Sequence, residues 1–360
     1  MNTPRPFLQI PPGEILREEL DARGWTQGEF AEIIGRPIQT VNEIIAGKKS
    51  ITPETALLFS QALGTSAQLW LNLESSYRLN SLPDSTSESS FIERKAKVFS
   101  VAPVSELIRL NWITVKNRRG GRFTEKHIDE IEGQLKAFFR VKSLDNITQL
   151  QANYRKSSDE VTATSLAAWL QQAQLVAEKQ KVKKYNHERL MKGISQFPDC
   201  SRSLHFLEEV QERLSDCGVR LVILPHLRKT KLDGAAFWLE GNAPVIGLTL
   251  RINRIDNFWF TLMHELAHIL YHKNKIKWDE EIIQEKNNKE EKIADKHAQN
   301  WLISEKLFSD YIDQFQSKLT VSSVRKFAEA INRHPAIVVG RLQHNKWILY
   351  SYMRNVLEKT

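Results

Sequence analysis

The sequence predicts a mainly α protein with a small α+β domain in its C-terminal half. Three observations support this. Apolar residues recur at helical spacing through most of residues 12–73 and again from Phe91 to about Gln196. The strand-like runs, Val219–Leu224, Gly234–Leu239 and Val245–Leu250, all cluster in one stretch. They lead into a long apolar-periodic helix that carries His264-Glu265-Leu266-Ala267-His268.

At the N-terminus, Trp25–Gly35 reads as a short helix with Phe30, Ala31 and Ile34 on its inner face, and Gly35 provides a tight turn. Pro37–Ala46 gives a second helix with Ile38, Val41, Ile44 and Ile45 inward, ended by Gly47. Two short helices joined by a glycine turn make a helix-turn-helix. Gln39, Thr40, Asn42 and Glu43 face outward near the start of the second helix, where amide and carboxylate side chains can pair with base edges. Arg36 and Lys48 flank that helix where phosphates would lie, with Lys49 beside them. Residues 1–80 carry seven Lys+Arg against nine Asp+Glu, so any DNA contact relies on local positive charge. A module used for protein contact is the competing reading.

Four segments are expected: 1–80 as the DNA-binding module, 81–90 as a Ser-rich linker, 91–200 as a helical connector, and 201–360 as the domain with the strands. Helices are expected over Val104–Leu110, Glu125–Phe139 and Ser165–Ala177, with Trp112 and Trp169 as core residues. The chain's net charge is +8, all of it outside the first 80 residues. Basic clusters at 116–122 and 179–184 read as solvated faces more readily than as nucleic-acid contacts. No apolar run is long enough to span a membrane, the N-terminus lacks an apolar signal core, and two cysteines are too few for a disulfide framework. These features point to a cytoplasmic protein.

On the helix that Asp256-Asn257 is expected to cap, His264 and His268 lie four residues apart on one face and can reach one ion. Glu265 is offset from them and can serve a water as general base. A third ligand must come from elsewhere. Glu291 and Asp295 form an i, i+4 pair, suited to one metal ligand and one acceptor for a ligand histidine's free N–H. His297 is the main rival for third ligand and His272 a weaker one.

The stretch Leu262–His272 followed by Glu291–Ile303 resembles the ImmA/IrrE family of metallo-endopeptidases, which implies a zincin-like domain, zinc on His264, His268 and Glu291, and Glu265 as general base. Manganese or iron also suits such a donor set. His297 stands where that family usually has Phe, and Ser304 where it often has Pro. Most of residues 7–78 resembles the HigA/VapI branch of Cro/C1-type regulators, the most specific part being Leu63-Gly64-Thr65-Ser66 with Leu69–Leu73. That implies a five-helix, lambda-repressor-like module, although Pro37 replaces the usual capping residue.

Together the resemblances imply a DNA-binding regulator, expected as a homodimer on operator DNA, with a zinc endopeptidase that cleaves a repressor or other regulatory protein. The alternative is an autorepressing antitoxin with a cognate toxin, whose peptidase-like domain is inactive or sensory. In the C-terminal tail, His334 and Arg341 are candidates for substrate contact, Arg341 being assigned more readily to a helix end or an acidic neighbour.

Overall fold

The computed structural model describes residues 10–81, 87–116, 122–155, 160–228, 230, 232–272, 288–315 and 319–357. The chain divides into two compact units, residues 1–92 and 93–360.

The first unit contains α1 (Pro12–Arg23), α2 (Gln27–Ile33), α3 (Ile38–Ile45), α4 (Pro53–Leu63) and α5 (Ala67–Ser81), the five helices expected. Its core gathers Leu16, Leu20, Phe30, Val41, Ile44, Phe59 and Trp70, all at most 2% exposed. Phe59 meets Phe30 at 5.3 Å and Trp70 edge-on at 5.2 Å between ring centroids, so one aromatic side chain links α2, α4 and α5. The Trp70 indole N–H is satisfied by Thr65 Oγ1 at 2.7 Å. A Thr26–Glu29 capping box starts α2, whereas Pro37 precedes α3 with no side-chain cap. Gly35 lies between these helices at φ 62°, in the left-handed region where a residue without Cβ is unstrained.

The second unit begins within α6 (Ser87–Val101). Next come α7 (Val104–Arg109), α8 (Glu125–Phe139), α9 (Leu144–Arg155), α10 (Glu160–Lys179), α11 (His187–Gly193) and, after a 3-10 segment, α12 (Phe206–Cys217). Strands β1 (Arg220–Leu224), β2 (Gly234–Leu239) and β3 (Ala243–Thr249) follow, then α13 (Ile255–Tyr271), α14 (Asn288–Leu302), α15 (Glu305–Phe315), α16 (Val321–Ala330) and α17 (Pro335–His344). The sheet order is β1-β3-β2, with β3 parallel to β1 and antiparallel to β2.

Alternation along β3 decides what covers each face of the sheet. A Cβ on Gly247 would fall 2.7 Å from the Trp169 ring of α10, while Ile246 and Leu248 belong to the core cluster that includes α13. Gly234, paired with Leu248, points to Thr261 and Glu265 of α13. Helices therefore cover both faces, α10 on one and α13 on the other.

Four expectations change. Ile38, expected on the inner face of α3, is 52% exposed, because only Val41, Ile44 and Ile45 of that helix face the core. The segment 91–200 is not a separate connector, because Trp169 is fully buried against β3 and donates its indole N–H to Pro225 O at 3.1 Å. Within the expected linker, Ser81 ends α5 and residues 87–90 belong to α6, while residues 82–86 lie outside the described residues, as do 117–121 of the first basic cluster. Helix α13 is not capped by Asp256-Asn257: it starts at Ile255, and the Asp256 carboxylate instead accepts two bonds from Arg254 at 2.9 and 2.6 Å. An acid in the first turn still suits the helix dipole.

Candidate metal centre and nucleic-acid interface

Helix α13 is apolar enough to be buried through most of its length, which carries polar residues into the interior where the sheet and α14 meet it. His268 is 8% exposed and Glu265 is 5% exposed. Helix α14 crosses beside it and brings Glu291 to the two imidazoles. The three donor groups form a triangle: His264 Nε2 to His268 Nε2 is 3.0 Å, and the Glu291 carboxylate straddles them with Oε2 3.2 Å from the first nitrogen and Oε1 3.2 Å from the second. A tetrahedral ion with bonds of about 2.0–2.2 Å separates its donors by roughly 3.3–3.5 Å. The observed triangle fits such an ion after a small expansion, and two imidazoles with one carboxylate suit a divalent transition metal.

The outer nitrogens of both histidines are also held. Asp295 Oδ1 lies 2.9 Å from His264 Nδ1, so an N–H there donates to the carboxylate and leaves the Nε2 lone pair facing the triangle. His268 Nδ1 lies 2.9 Å from His272 Nδ1, which does the same for the second imidazole. Burial opposes the imidazolium form of His264, but Asp295, Glu291 and Glu265 outweigh it and push its pKa up to about 9. The pocket's electrostatics thus favour positive charge at this point.

His297 lies elsewhere. It stacks on Tyr271 at 4.3 Å and leans on Trp301 at 5.2 Å, and burial, followed by the charge of Lys296, lowers its pKa. Of the two rival ligands, His297 packs against aromatic rings and His272 stands behind His268.

Gly234 matters at this site although no motif in the sequence includes it. A Cβ there would fall 2.7 Å from Thr261 Cγ2, 3.0 Å from Glu265 Cγ and 3.1 Å from Glu265 Oε1. Only glycine at the start of β2 leaves room for the Glu265 carboxylate. Gly234→Ala is expected to cost about 1–3 kcal/mol through overpacking and to displace Glu265. A urea unfolding curve checks the first effect, and unchanged metal content would show that the ligand triangle survives.

In the first unit, Arg36, Gln39, Asn42 and Lys48 are exposed, and Thr40 and Glu43 are half-buried. Gln39 bonds Glu43 at 3.2 Å, while Lys49 approaches Thr40 at 3.3 Å and Glu43 at 3.9 Å. These are weak, solvent-facing contacts that a nucleic acid could replace.

The helix-turn-helix family model matches residues 16–70. Over 68 residues the chain is 37% identical to the HTH-type transcriptional regulator YddM of Escherichia coli K12, covering 19% of this chain and 72% of that protein. The chain belongs to the helix-turn-helix transcriptional regulators. This regulator is also 39% identical over 71 residues to virulence-associated protein I of Dichelobacter nodosus, covering 19% of this chain and 66% of the relative. The Pseudomonas aeruginosa antitoxin HigA, solved with the higBA promoter, is 35% identical over 20% of this chain and 80% of its own, with a TM-score of 0.20. The IrrE N-terminal-like domain model of the M78 peptidases matches residues 215–336, so the regulator carries a peptidase-family domain around the His/His/Glu triangle. Among the described residues, no helix of the regulator is long and apolar enough to cross a membrane.

Proposed function

We propose that the protein is an operator-binding regulator whose second unit is a zinc-dependent endopeptidase, acting on a repressor or another regulatory protein. The observation that carries this reading is the His264, His268 and Glu291 triangle with Glu265 buried on the same helix. His264, His268 and Glu291 would hold zinc, which when bound polarises the scissile carbonyl and acidifies a water. Glu265 takes the proton of the attacking water and passes it to the departing amine nitrogen. Asp295 and His272 fix the tautomers of the two ligand histidines, so the donors need no reorganisation. Burial beside Gly234 of β2 keeps the Glu265 carboxylate in one place.

Elemental analysis of the purified full chain tests the metal reading. About one zinc per chain is expected, with little retained by His264→Ala; equal metal in both proteins would remove the basis for the mechanism.

For the first unit, the proposal places α3 in the major groove, with Gln39, Thr40, Asn42 and Glu43 toward the bases and Arg36 and Lys48 toward phosphates. A homodimer would present two copies of α3 to half-sites about one helical turn apart. Gln39→Ala and Asn42→Ala are each expected to weaken operator binding by about 1–3 kcal/mol. Lys48→Ala should instead weaken binding to every duplex and reduce the salt slope by about one. Fluorescence anisotropy on operator and scrambled duplexes over a salt series separates these effects, and identical affinity for all duplexes would refute base reading by α3.

A further inference from the structure

A cavity of about 300 Å³ lies among α13, α14 and α17, one helical turn from the metal triangle. On α13, Phe260 in its wall precedes His264 by four residues, and the two rings are 6.2 Å apart. On α14, Gln299 in its wall follows Asp295 by four. Phe260, Leu302, Ile303 and Ile337 make the apolar lining, and Asn257 and Gln299 add amides. His344 and Tyr350, both exposed, border it and open it to solvent.

Arg341 of α17 also lines this cavity and is 8% exposed. Its Nη2 donates to Glu305 Oε2 at 2.7 Å, and its guanidinium lies 5.2 Å from the centroid of the Phe308 ring. Its Nε and Nη1 are buried and have no acceptor among the described residues. Glu305 is 75% exposed at its side chain, so it meets the guanidinium from the solvent side and is itself well hydrated. The other cation of the lining, Arg254, is already committed to Asp256 and Gln343. Burial pushes the Arg341 pKa down, which Glu305 only partly offsets. A buried guanidinium whose ionic partner is a hydrated carboxylate on its solvent side, with two N–H groups left without an acceptor among the described residues, stands in the wall of a part-apolar cavity and has donors to spare for a second anion.

We propose that this cavity binds a carboxylate carried on a short apolar body, with Arg341 as its charge partner and the phenyl and aliphatic wall covering the body. The carboxylate has two possible sources. One is a free small acid. The other is an acidic side chain or C-terminus of a polypeptide lying along α13 toward His264. The site stands on its own geometry, whatever the metal domain does.

Calorimetry on the full chain tests it with benzoate, its uncharged isostere benzamide, and a blocked glutamyl peptide amide. Benzoate is expected to bind at one site per chain about tenfold or more tightly than benzamide, the factor a charge-assisted hydrogen bond supplies. His264→Ala should bind benzoate as the parent does, whereas Arg341→Gln should lose the preference for the acid. If Arg341→Gln does not fold, the contrast between benzoate and benzamide on the unaltered chain still decides. Benzoate without peptide assigns a free acid, and peptide binding that requires Arg341 assigns a polypeptide carboxylate. Equal binding of benzoate and benzamide, absence of binding by both acids, or benzoate binding lost in His264→Ala would overturn the proposal.

Discussion

Glu265→Gln is expected to keep the metal and lower peptide-bond cleavage by a factor of roughly 100 to 10,000, the range a positioned general base contributes. The amide is nearly isosteric with the carboxylate and fits the space that Gly234 leaves, so the fold and the ligand triangle should be undisturbed. It cannot take a proton from water at neutral pH. Mass spectrometry of a diverse peptide library incubated with the metal-loaded full chain reads the effect on any cleavable sequence. Cleavage by the parent and near-silence from Glu265→Gln, at equal metal content, is the expected result. Equal cleavage by both proteins would assign the activity to another base or to a contaminant. Silence from both would favour a regulator whose metal domain senses rather than cuts.

Trp169→Ala is expected to destabilise the second unit by about 3–5 kcal/mol, the usual cost of deleting a large aromatic from a packed interior. Trp169 is fully buried, its ring occupies the space above Gly247, and its N–H satisfies Pro225 O. Removing it opens a cavity against the sheet and leaves a carbonyl without its donor. Urea unfolding followed by far-ultraviolet circular dichroism should show the transition of the second unit move to lower urea. A shift below about 0.5 kcal/mol would mean that α10 only rests on the sheet. The cost would then fall within the range of ordinary surface substitutions.

Local pattern made much of this fold legible. Helix α8 spans Glu125–Phe139 as its periodicity requires, and β2 and β3 pair across Glu240–Asn242 as the alternation on either side suggests. The helix-turn-helix was readable because two apolar faces and one left-handed glycine fix it within about twenty residues. Contacts distant in sequence were not readable. Nothing near Trp169 reveals that its ring will meet Gly247, so residues 91–200 look like a connector until the sheet is in place. Asp256 differs for a local reason: Arg254, only two residues before it, claims the carboxylate that a cap would have used. At the metal centre, spacing placed His264, Glu265 and His268 on one helix but left Glu291, His297 and His272 as competing ligands. Tertiary packing sorts them: Tyr271 and Trp301 occupy the His297 ring, and His268 engages His272 through Nδ1. Gly234 carried no local mark, since glycine at the start of a strand is ordinary until a carboxylate lies over it.

The placement of α10 on one face of β3 and α13 on the other has a consequence for how such chains can be recombined. A fragment starting at residue 201 would include α13 and α14 with the His/His/Glu triangle yet leave one face of β3 uncovered, with Gly247 open to water where Trp169 had been. The natural seam is therefore between α5 and α6, just ahead of the boundary at residues 92 and 93, so that α6 stays whole with the second unit. Exchanging everything before that seam would substitute one helix-turn-helix unit for another while the unit with the His/His/Glu triangle kept its full set of supporting helices.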